Sequence, residues 1–312
     1  MSERPSASRI PLFFSVHLEP DPDLDVGQHG PVEWTGFGAL QRHLRELATA
    51  LTDATESALR IGWYLRMDRQ VEMLCGSPDY TARIFAERLE PALDEIEHYT
   101  GLHVHASRWD GRRQRWTIDT CNEDVWFEEL NVGLDAYTAA RGEAPRRFNF
   151  TRSLTNDAIR SRLMSAGVRI DLSPEPSPRK HKTAANWAPH VEHRGSGVPL
   201  WMIPANAGLP HSGSTMQRWA RRARYGRHAR WHLHPYREQS PTQFWDDIAR
   251  SCAEAPFPYV VLALRTSAAG SWTDHRQRAV LDALIQHPFA RHLAFADPLD
   301  LVQTFEALAT AR

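Results

Sequence analysis

Pairs of ionisable residues, two positions apart, stand at the ends of apolar runs in this chain. His17 and Glu19 end one such run, and His103 and His105 end another. Side chains two apart on a β-strand point to the same face, so each pair can present both groups to one site. Two histidines and a carboxylate are a common ligand set for zinc and other divalent metals, with one coordination position left for water. Such a metal lowers the pKa of water and polarises a carbonyl oxygen.

Two further pairs share this spacing, Arg66 with Asp68 and His232 with His234. We expect Arg66 and Asp68 to line a substrate pocket beside the metal. Two interpretations remain for His232 and His234. Either they line the site, or backbone carbonyls bind their rings.

The elements that would position these pairs alternate between strands and helices. Between strand-like runs, apolar residues recur at helical spacing, for example Leu40, Leu44, Leu47 and Leu51. This alternation predicts repeated βαβ units and a parallel sheet. Neither GxGxxG nor GxxxxGK[ST] follows any strand, so we predict an α/β fold of the distorted (β/α)₇ barrel type. The seven predicted strands are 11–19, 61–67, 101–106, 147–151, 168–172, 259–264 and 292–296.

Residues 174–240 interrupt this alternation. The segment is rich in proline, glycine and arginine, and we predict a long insertion or lid within a single domain spanning 1–312. Two short strands are expected inside it, at 199–203 and 230–234. The basic run at 218–227 fits either an anion-binding segment or an arginine-rich helix with a solvated face, and its role stays open.

In parallel barrels the reactive groups lie at the C-terminal ends of the strands. Reading those ends adds five candidates to the pairs above. Asp171 has two interpretations, since it can orient a site arginine or cap a turn. The added candidates are Trp109 and Asn149 for substrate binding, with Arg147, Asp171 and Arg265 for catalysis.

The charge, the cysteines and the apolar runs of the sequence argue against several classes of protein. The net charge is −1 and no nucleic-acid module is recognisable, so we expect no nucleic-acid partner. Three widely spaced cysteines argue against a disulfide framework, and the N-terminal apolar run is too short for a signal peptide. No run has transmembrane length. We therefore expect a cytoplasmic enzyme without membrane insertion that acts on a small molecule or glycan, and a homo-oligomer is compatible with the sequence.

The strand ends resemble those of the polysaccharide deacetylase (NodB-homology, carbohydrate esterase 4-like) superfamily. The similarity covers roughly residues 11–173 and 258–305 and depends on order and spacing more than on one strict motif. YLRMD at 64–68 also resembles a second-strand end of relatives. The main segments are SVHLEPD at 15–21, GLHVHASRWD at 101–110, RRFNFTRSLTNDAI at 146–159, GVRIDLSPEP at 167–176 and VVLALRTS at 260–267.

The resemblance implies a (β/α)₇ barrel that removes acetyl groups from N-acetylated sugars. It implies that Glu19, His103 and His105 bind the metal, zinc first, with cobalt, nickel, manganese or iron as alternatives. It also implies that Arg147 orients the base and that Asp171 is the fifth-strand acid.

Three positions depart from the family pattern. His17 stands where the family has an aspartate base, and Arg265 stands where it has a late histidine acid. His103 and His105 are spaced HxH, whereas the family has HxxxH, and the fourth residue on is Ser107. A histidine can serve as base or as a fourth metal ligand. An arginine cannot donate a proton at neutral pH but can stabilise an oxyanion.

Three functions follow from this pattern. The first is a metal-dependent amidohydrolase acting on non-peptide carbon–nitrogen bonds, with His17 as base and Arg265 as electrophilic helper. The second is a catalytically degenerate carbohydrate-binding or regulatory protein on the same barrel. The third is different chemistry at a histidine-rich iron or copper site.

Overall fold

The structure is a computed structural model. It describes residues 9–20, 34–93, 96–174, 189–192, 198–208, 231–232, 235, 240–255, 257–267, 272–302 and 304. The strands are β1 (Ile10–Leu18), β2 (Arg60–Arg66), β3 (Glu97–Val104), β4 (Ser107–Asp110), β5 (Arg115–Ile118), β6 (Arg147–Phe150), β7 (Ile170–Asp171), β8 (His190–Glu192), β9 (Leu200–Met202), β10 (Ala207–Gly208), β11 (Trp231–His232), β12 (Val260–Arg265) and β13 (Leu293–Phe295). The α-helices are α1 (Thr35–Thr55), α2 (Arg69–Cys75), α3 (Tyr80–Ile84), α4 (Glu123–Arg141), α5 (Asp157–Ser165), α6 (Pro241–Glu254) and α7 (Trp272–Gln286).

Nine of the described strands form one mixed, mostly parallel sheet. Its order is β12-β1-β2-β3-β6-β7-β9-β8, and β13 also pairs with β1. The pairs from β12 through β9 are parallel, whereas β8 and β9 are antiparallel. All seven predicted strands are present in this sheet. The curled parallel sheet confirms the predicted α/β fold of the distorted barrel type.

Side chains alternate between an outer and an inner layer. The outer layer joins the sheet to the helices, and α1 contributes Leu40, Leu44, Leu47 and Leu51 to it. The inner layer fills the curl of the sheet with aromatic and branched side chains. Its buried members are Phe13, Tyr64, Tyr99, Ile170, Leu172, Trp201, Ile203, Tyr259, Val261 and Val302.

Hydrogen bonds join the segment after β9 to the start of β12, and the Asn206 side chain makes two of them. Asn206 donates through Nδ2 to the carbonyl of Tyr259 at 2.7 Å, and its Oδ1 accepts from the Val261 N–H at 2.6 Å. The Tyr259 hydroxyl donates to the carbonyl of Pro204 at 2.7 Å. An asparagine side chain thus replaces part of a strand-to-strand ladder at this junction.

Strand β3 begins at Glu97, four residues before the predicted start at 101, and pairs with β2 from that residue on. Two glycines in these strands make room for tyrosine rings. A Cβ atom at Gly101 would lie 2.8 Å from the Tyr64 ring, and one at Gly62 would lie 2.4 Å from the Tyr99 ring. The sequence analysis makes Gly101 the first residue of this strand. In the sheet it lets a neighbouring aromatic ring lie against the backbone.

Part of the range 174–240 belongs to the main sheet. Strand β9 pairs with β7 and places Trp201 in the inner layer. Both short strands expected in this range are present as β9 and β11, whereas the basic run at 218–227 lies outside the described residues. Across the described residues, no helix combines the length and the apolar character that a membrane span needs.

Candidate metal centre

Four ionisable side chains converge at the C-terminal ends of β1 and β3. His17 lies in β1 and Glu19 follows that strand, while His103 lies in β3 and His105 follows it. All four are buried, and Glu19 is 1% exposed. Strand β2 lies between these two strands, so the pairs approach one another across its end. The structure therefore brings together the four residues that the spacing predicted.

Three of the four present one ligand atom each to a common point. His103 Nε2 lies 3.1 Å from Glu19 Oε1 and 2.8 Å from His105 Nε2, and His105 Nε2 lies 3.4 Å from Glu19 Oε1. Ligands at ordinary zinc distances in a tetrahedron are separated by about 3.3 Å. The spacing of these three atoms therefore fits a first coordination shell.

The tautomer of His103 supports the same assignment. His103 Nδ1 lies 3.0 Å from the carbonyl oxygen of Asn149, which can only accept a hydrogen bond. We infer that Nδ1 carries a proton, so that Nε2 is the ring atom that faces Glu19 and His105. A backbone carbonyl that fixes a histidine in this way is the usual outer support of a metal ligand. The donor set thus suits a cation.

Glu19 is held by two hydroxyl side chains that follow β12. Ser267 donates through Oγ to Glu19 Oε2 at 2.9 Å, which leaves Oε1 directed at the histidines. Thr266 Oγ1 accepts from the Glu19 N–H at 2.7 Å. The sequence analysis did not single out Thr266 or Ser267, although both follow Arg265 at a strand end. Hydroxyl residues at such an end were the available signal.

His105 is held by a buried ion pair at the end of β2. Asp68 Oδ2 accepts from Arg66 Nε at 2.7 Å and from the backbone N–H of His105 at 3.1 Å. Asp68 Oδ1 also accepts from the Val71 N–H at 3.1 Å and so caps α2. Arg66 and Asp68 are both fully buried. We predict that these two residues bind substrate, whereas the partners that the structure shows for them are protein groups beside His105.

His17 lies beside the three-ligand group. Its ring centroid is 4.2 Å from that of His103, and its Nδ1 lies 3.9 Å from Glu19 Oε1. His17, Glu19 and His103 offer ligand atoms within 4.8 Å of one another. Arg265 is in register with His17 on the neighbouring strand, so the two side chains share a face.

Burial and neighbouring charges shift the titration of these groups. Burial, with help from His103, lowers the pKa of His17 well below its ordinary value. Burial and the charge of Arg66 lower the pKa of His105 to about 3. Burial acts to raise the pKa of Glu19, but the two neighbouring histidines outweigh it and hold that pKa well below the usual range. At neutral pH the site therefore holds the ionised carboxylate of Glu19 beside the neutral imidazoles of His17 and His105, and an ionised carboxylate is the form that binds a cation.

Arg147 and Asp171 lie away from this group. Arg147 donates through Nε to Asp297 at 2.8 Å, and its guanidinium lies 4.4 Å from the centre of the Tyr99 ring. Asp171 accepts from the Ser173 N–H at 2.8 Å, and burial raises its pKa to about 6. Since its neighbours in β7 face the inner layer, Asp171 faces the helices.

Of the remaining predicted residues, Asn149 contacts the site, Trp109 lies in the neighbouring hairpin, and the two histidines of 232–234 lie elsewhere in the sequence. Asn149 supports His103 through its carbonyl, and its side chain donates to the carbonyl of Leu172 at 3.0 Å. Trp109 lies in the β4–β5 hairpin, 5.8 Å between ring centroids from Trp116. The backbone of His232 forms part of β11, whereas His234 lies outside the described residues.

Comparisons with known proteins give weak matches. No family model matches the chain, and neither does any curated protein. A putative polysaccharide deacetylase from Mycobacterium smegmatis is 11% identical, with a TM-score of 0.47, over 99% of this chain and 94% of that one. A family 4 carbohydrate esterase from Streptomyces lividans is 12% identical, with a TM-score of 0.41, over 93% and 92%. The 4-alpha-glucanotransferase from Thermococcus litoralis is 12% identical, with a TM-score of 0.46. The match covers 95% of this chain and 40% of that one, so this chain spans less than half of that protein's length. The site is therefore interpreted from its own geometry.

Proposed function

We propose that this protein is a divalent-metal-dependent hydrolase that removes an acetyl group from an N-acetylated sugar or a related small amide. The observation that carries the proposal is the convergence of Glu19 Oε1, His103 Nε2 and His105 Nε2 within 3.4 Å of one another. The resemblance of the strand ends to polysaccharide deacetylases supplies the substrate class.

Glu19, His103 and His105 would hold the metal. Two nitrogens and one carboxylate oxygen favour zinc, and cobalt, nickel, manganese and iron suit the same set. When bound, a divalent ion supplies Lewis acidity, which polarises the amide carbonyl and lowers the pKa of water. Ser267, the Asn149 carbonyl and Asp68 would keep the three ligands in place.

His17 would act as the general base. Its imidazole is neutral at neutral pH because burial lowers its pKa, so it can accept a proton from the attacking water. The water oxygen bonds to the carbonyl carbon, the carbon–nitrogen bond breaks, and the proton held by His17 passes to the leaving amine. Arg265, on the same face of the sheet as His17, would stabilise the negative charge that develops on the carbonyl oxygen.

The β4–β5 hairpin would form one wall of the substrate site. It begins two residues after His105, and Trp109 offers a partly exposed aromatic ring. Flat aromatic rings present large apolar faces suited to the apolar face of a sugar. We assign Trp109 to substrate binding on this basis.

A second function is favoured by one feature of the site. Arg265 occupies the register position opposite His17, and an arginine does not donate a proton at neutral pH. A protein that binds a metal and a sugar without hydrolysing it could keep the three ligands and have an arginine at this position. In that case the metal would bind and no acetate would be released.

The test is acetate release by metal-reconstituted protein from N-acetylglucosamine and its short oligomers. We expect release by the wild type and a fall of at least about 100-fold in kcat for His17→Gln, with metal content unchanged. His98→Gln, on the same strand as His103 but away from the site, serves as control and should match the wild type. Metal-loaded wild type that binds these sugars and releases no acetate would establish the second function instead.

A further inference from the structure

Arginine residues lie at the ends of the two strands that flank the ligand-bearing strands of the candidate metal centre. The order β12-β1-β2-β3-β6 places the ligands, carried by β1 and β3, between β12 and β6. Arg265 ends β12 in register with His17. Arg152 follows β6, three residues after Asn149, which is in register with His103. Each flank of the centre therefore carries an arginine at the C-terminal edge of a strand.

The backbone that carries Arg152 is strained. Arg152 has φ 59° and the next residue, Ser153, has φ 53°. Two consecutive non-glycine residues in the left-handed region are unfavourable, and such strain concentrates at functional sites. Ser153 donates through Oγ to the carbonyl of Ser173 at 2.6 Å, which ties the loop down. The Arg152 side chain is exposed, in the loop that follows the C-terminal end of β6.

The hairpin that follows β3 adds more positive charge. Arg108 and Arg113 pair with Asp119 at 3.2 Å and with Asp110 at 3.7 Å. Arg112 and Arg115, like Arg152, are exposed and form no ion pair with any carboxylate among the described residues.

The described carboxylates nearest the candidate centre, Asp68 and Glu19, are already engaged. Asp68 pairs with Arg66, and Glu19 faces the histidines and accepts from Ser267. The net charge of the chain is −1, so the exposed arginines do not reflect a basic protein. Among the described residues, positive charge without a paired carboxylate therefore remains exposed on the β4–β5 hairpin and after β6.

We infer that the substrate carries an anionic group, a phosphate or a carboxylate, which Arg152 binds at the β6 flank of the candidate centre, while Arg265 at the β12 flank faces the reacting carbonyl. The inference rests on the proposed function and narrows its substrate class to anionic N-acetylated sugars. Guanidinium groups match both anions through paired N–H donors. Arg112 and Arg115 extend the same positive surface along the hairpin and favour anionic over neutral ligands at longer range.

The test is isothermal titration of the metal-reconstituted protein with four probes. N-acetylglucosamine is the neutral probe, its 6-phosphate and N-acetylmuramic acid carry the two anions, and inorganic phosphate reports the anion site alone. Arg152→Asn removes the charge, and asparagine tolerates the left-handed backbone. Arg291→Asn is the matched control, because this exposed arginine precedes β13 at the opposite edge of the sheet.

We expect at least about tenfold tighter binding of one or both anionic sugars than of the neutral sugar. That preference should shrink at high salt and in Arg152→Asn, and should persist in Arg291→Asn. Equal affinity for neutral and anionic sugars would overturn the inference and leave the proposed function intact. Binding of inorganic phosphate that depends on Arg152, without binding of any sugar, would support the anion site and count against the proposed function. No binding of any probe, or a preference unchanged in Arg152→Asn, would overturn the inference.

Discussion

The Asp297→Asn substitution removes the negative partner of a buried arginine. Asp297 accepts a bidentate hydrogen bond from Arg147, and the two side chains are 3% and 13% exposed. Arg60 lies 3.8 Å from the same carboxylate, so two cations share one acid. Asparagine keeps the shape of the side chain and the oxygen that accepts from the Leu299 N–H. The variant therefore isolates the charge.

Removing one partner of a buried ion pair costs about 3–5 kcal/mol, because the other charge stays buried without compensation. We take the lower end, about 3 kcal/mol, since Arg147 keeps a hydrogen bond to the Thr100 carbonyl at 3.2 Å. With a urea m-value of about 3 kcal/mol/M, the unfolding midpoint should fall by about 1 M. Adding Arg147→Met to the variant should restore part of the loss, since the uncompensated cation is then gone.

Urea unfolding followed by tryptophan fluorescence measures this shift, and metal content measured on the same samples separates stability from the site. We expect metal content to be unchanged, because Arg147 pairs with Asp297 and not with His17. A midpoint shift below about 0.3 M, which is about 1 kcal/mol, would refute the assignment of a stabilising pair. A variant that loses its metal while keeping its full stability would indicate that Arg147 and Asp297 contribute to the site.

Three further substitutions test the supports of the centre and one buried acid. Ser267→Ala should weaken metal binding by about 10–100-fold in competition with a chelator, because Glu19 loses the donor that directs its oxygen, and unchanged affinity would contradict that role. Asp68→Asn should lower the free energy of unfolding by about 3–5 kcal/mol and also weaken metal binding, whereas a loss below about 1 kcal/mol would count against the buried pair behind His105. Burial raises the pKa of Glu129 to about 8, so its contribution to stability is complete below its ordinary pKa and is lost as the pH rises through 8. Glu129→Gln should remove this loss, at most about 4–5 kcal/mol, from urea midpoints compared at pH 5 and pH 8, and identical pH profiles for both proteins would exclude it.

The seven main strands could be predicted because each is a short apolar run between helical patterns. The facing of β7 is harder to predict, because the alternation in 168–172 shows which side chains share a face but not which face is the inner one. The sequence analysis left two roles open for Asp171, and the structure shows its carboxylate accepting from the Ser173 N–H. The sequence analysis begins β3 at Gly101, and the structure extends it back to Glu97, which pairs with Arg60 on β2.

Spacing was sufficient to select His17, Glu19, His103 and His105, because alternation along a strand is a local rule. Their supports follow from contacts distant in sequence. Ser267 lies 248 residues from Glu19, and the carbonyl that orients His103 is a backbone group that residue types do not reveal. The partner of Arg147 is likewise 150 residues away.

Metal content of the purified protein, by inductively coupled plasma mass spectrometry, tests the candidate centre most directly. The wild type is compared with His103→Ala/His105→Ala and with the control His98→Ala/His292→Ala, which removes two histidines outside the site. We expect close to one equivalent of a divalent transition metal, zinc first, in the wild type and the control, and its loss in the site variant. Wild-type protein that holds no metal after reconstitution, or a site variant that keeps its full equivalent, would contradict the metal centre described above.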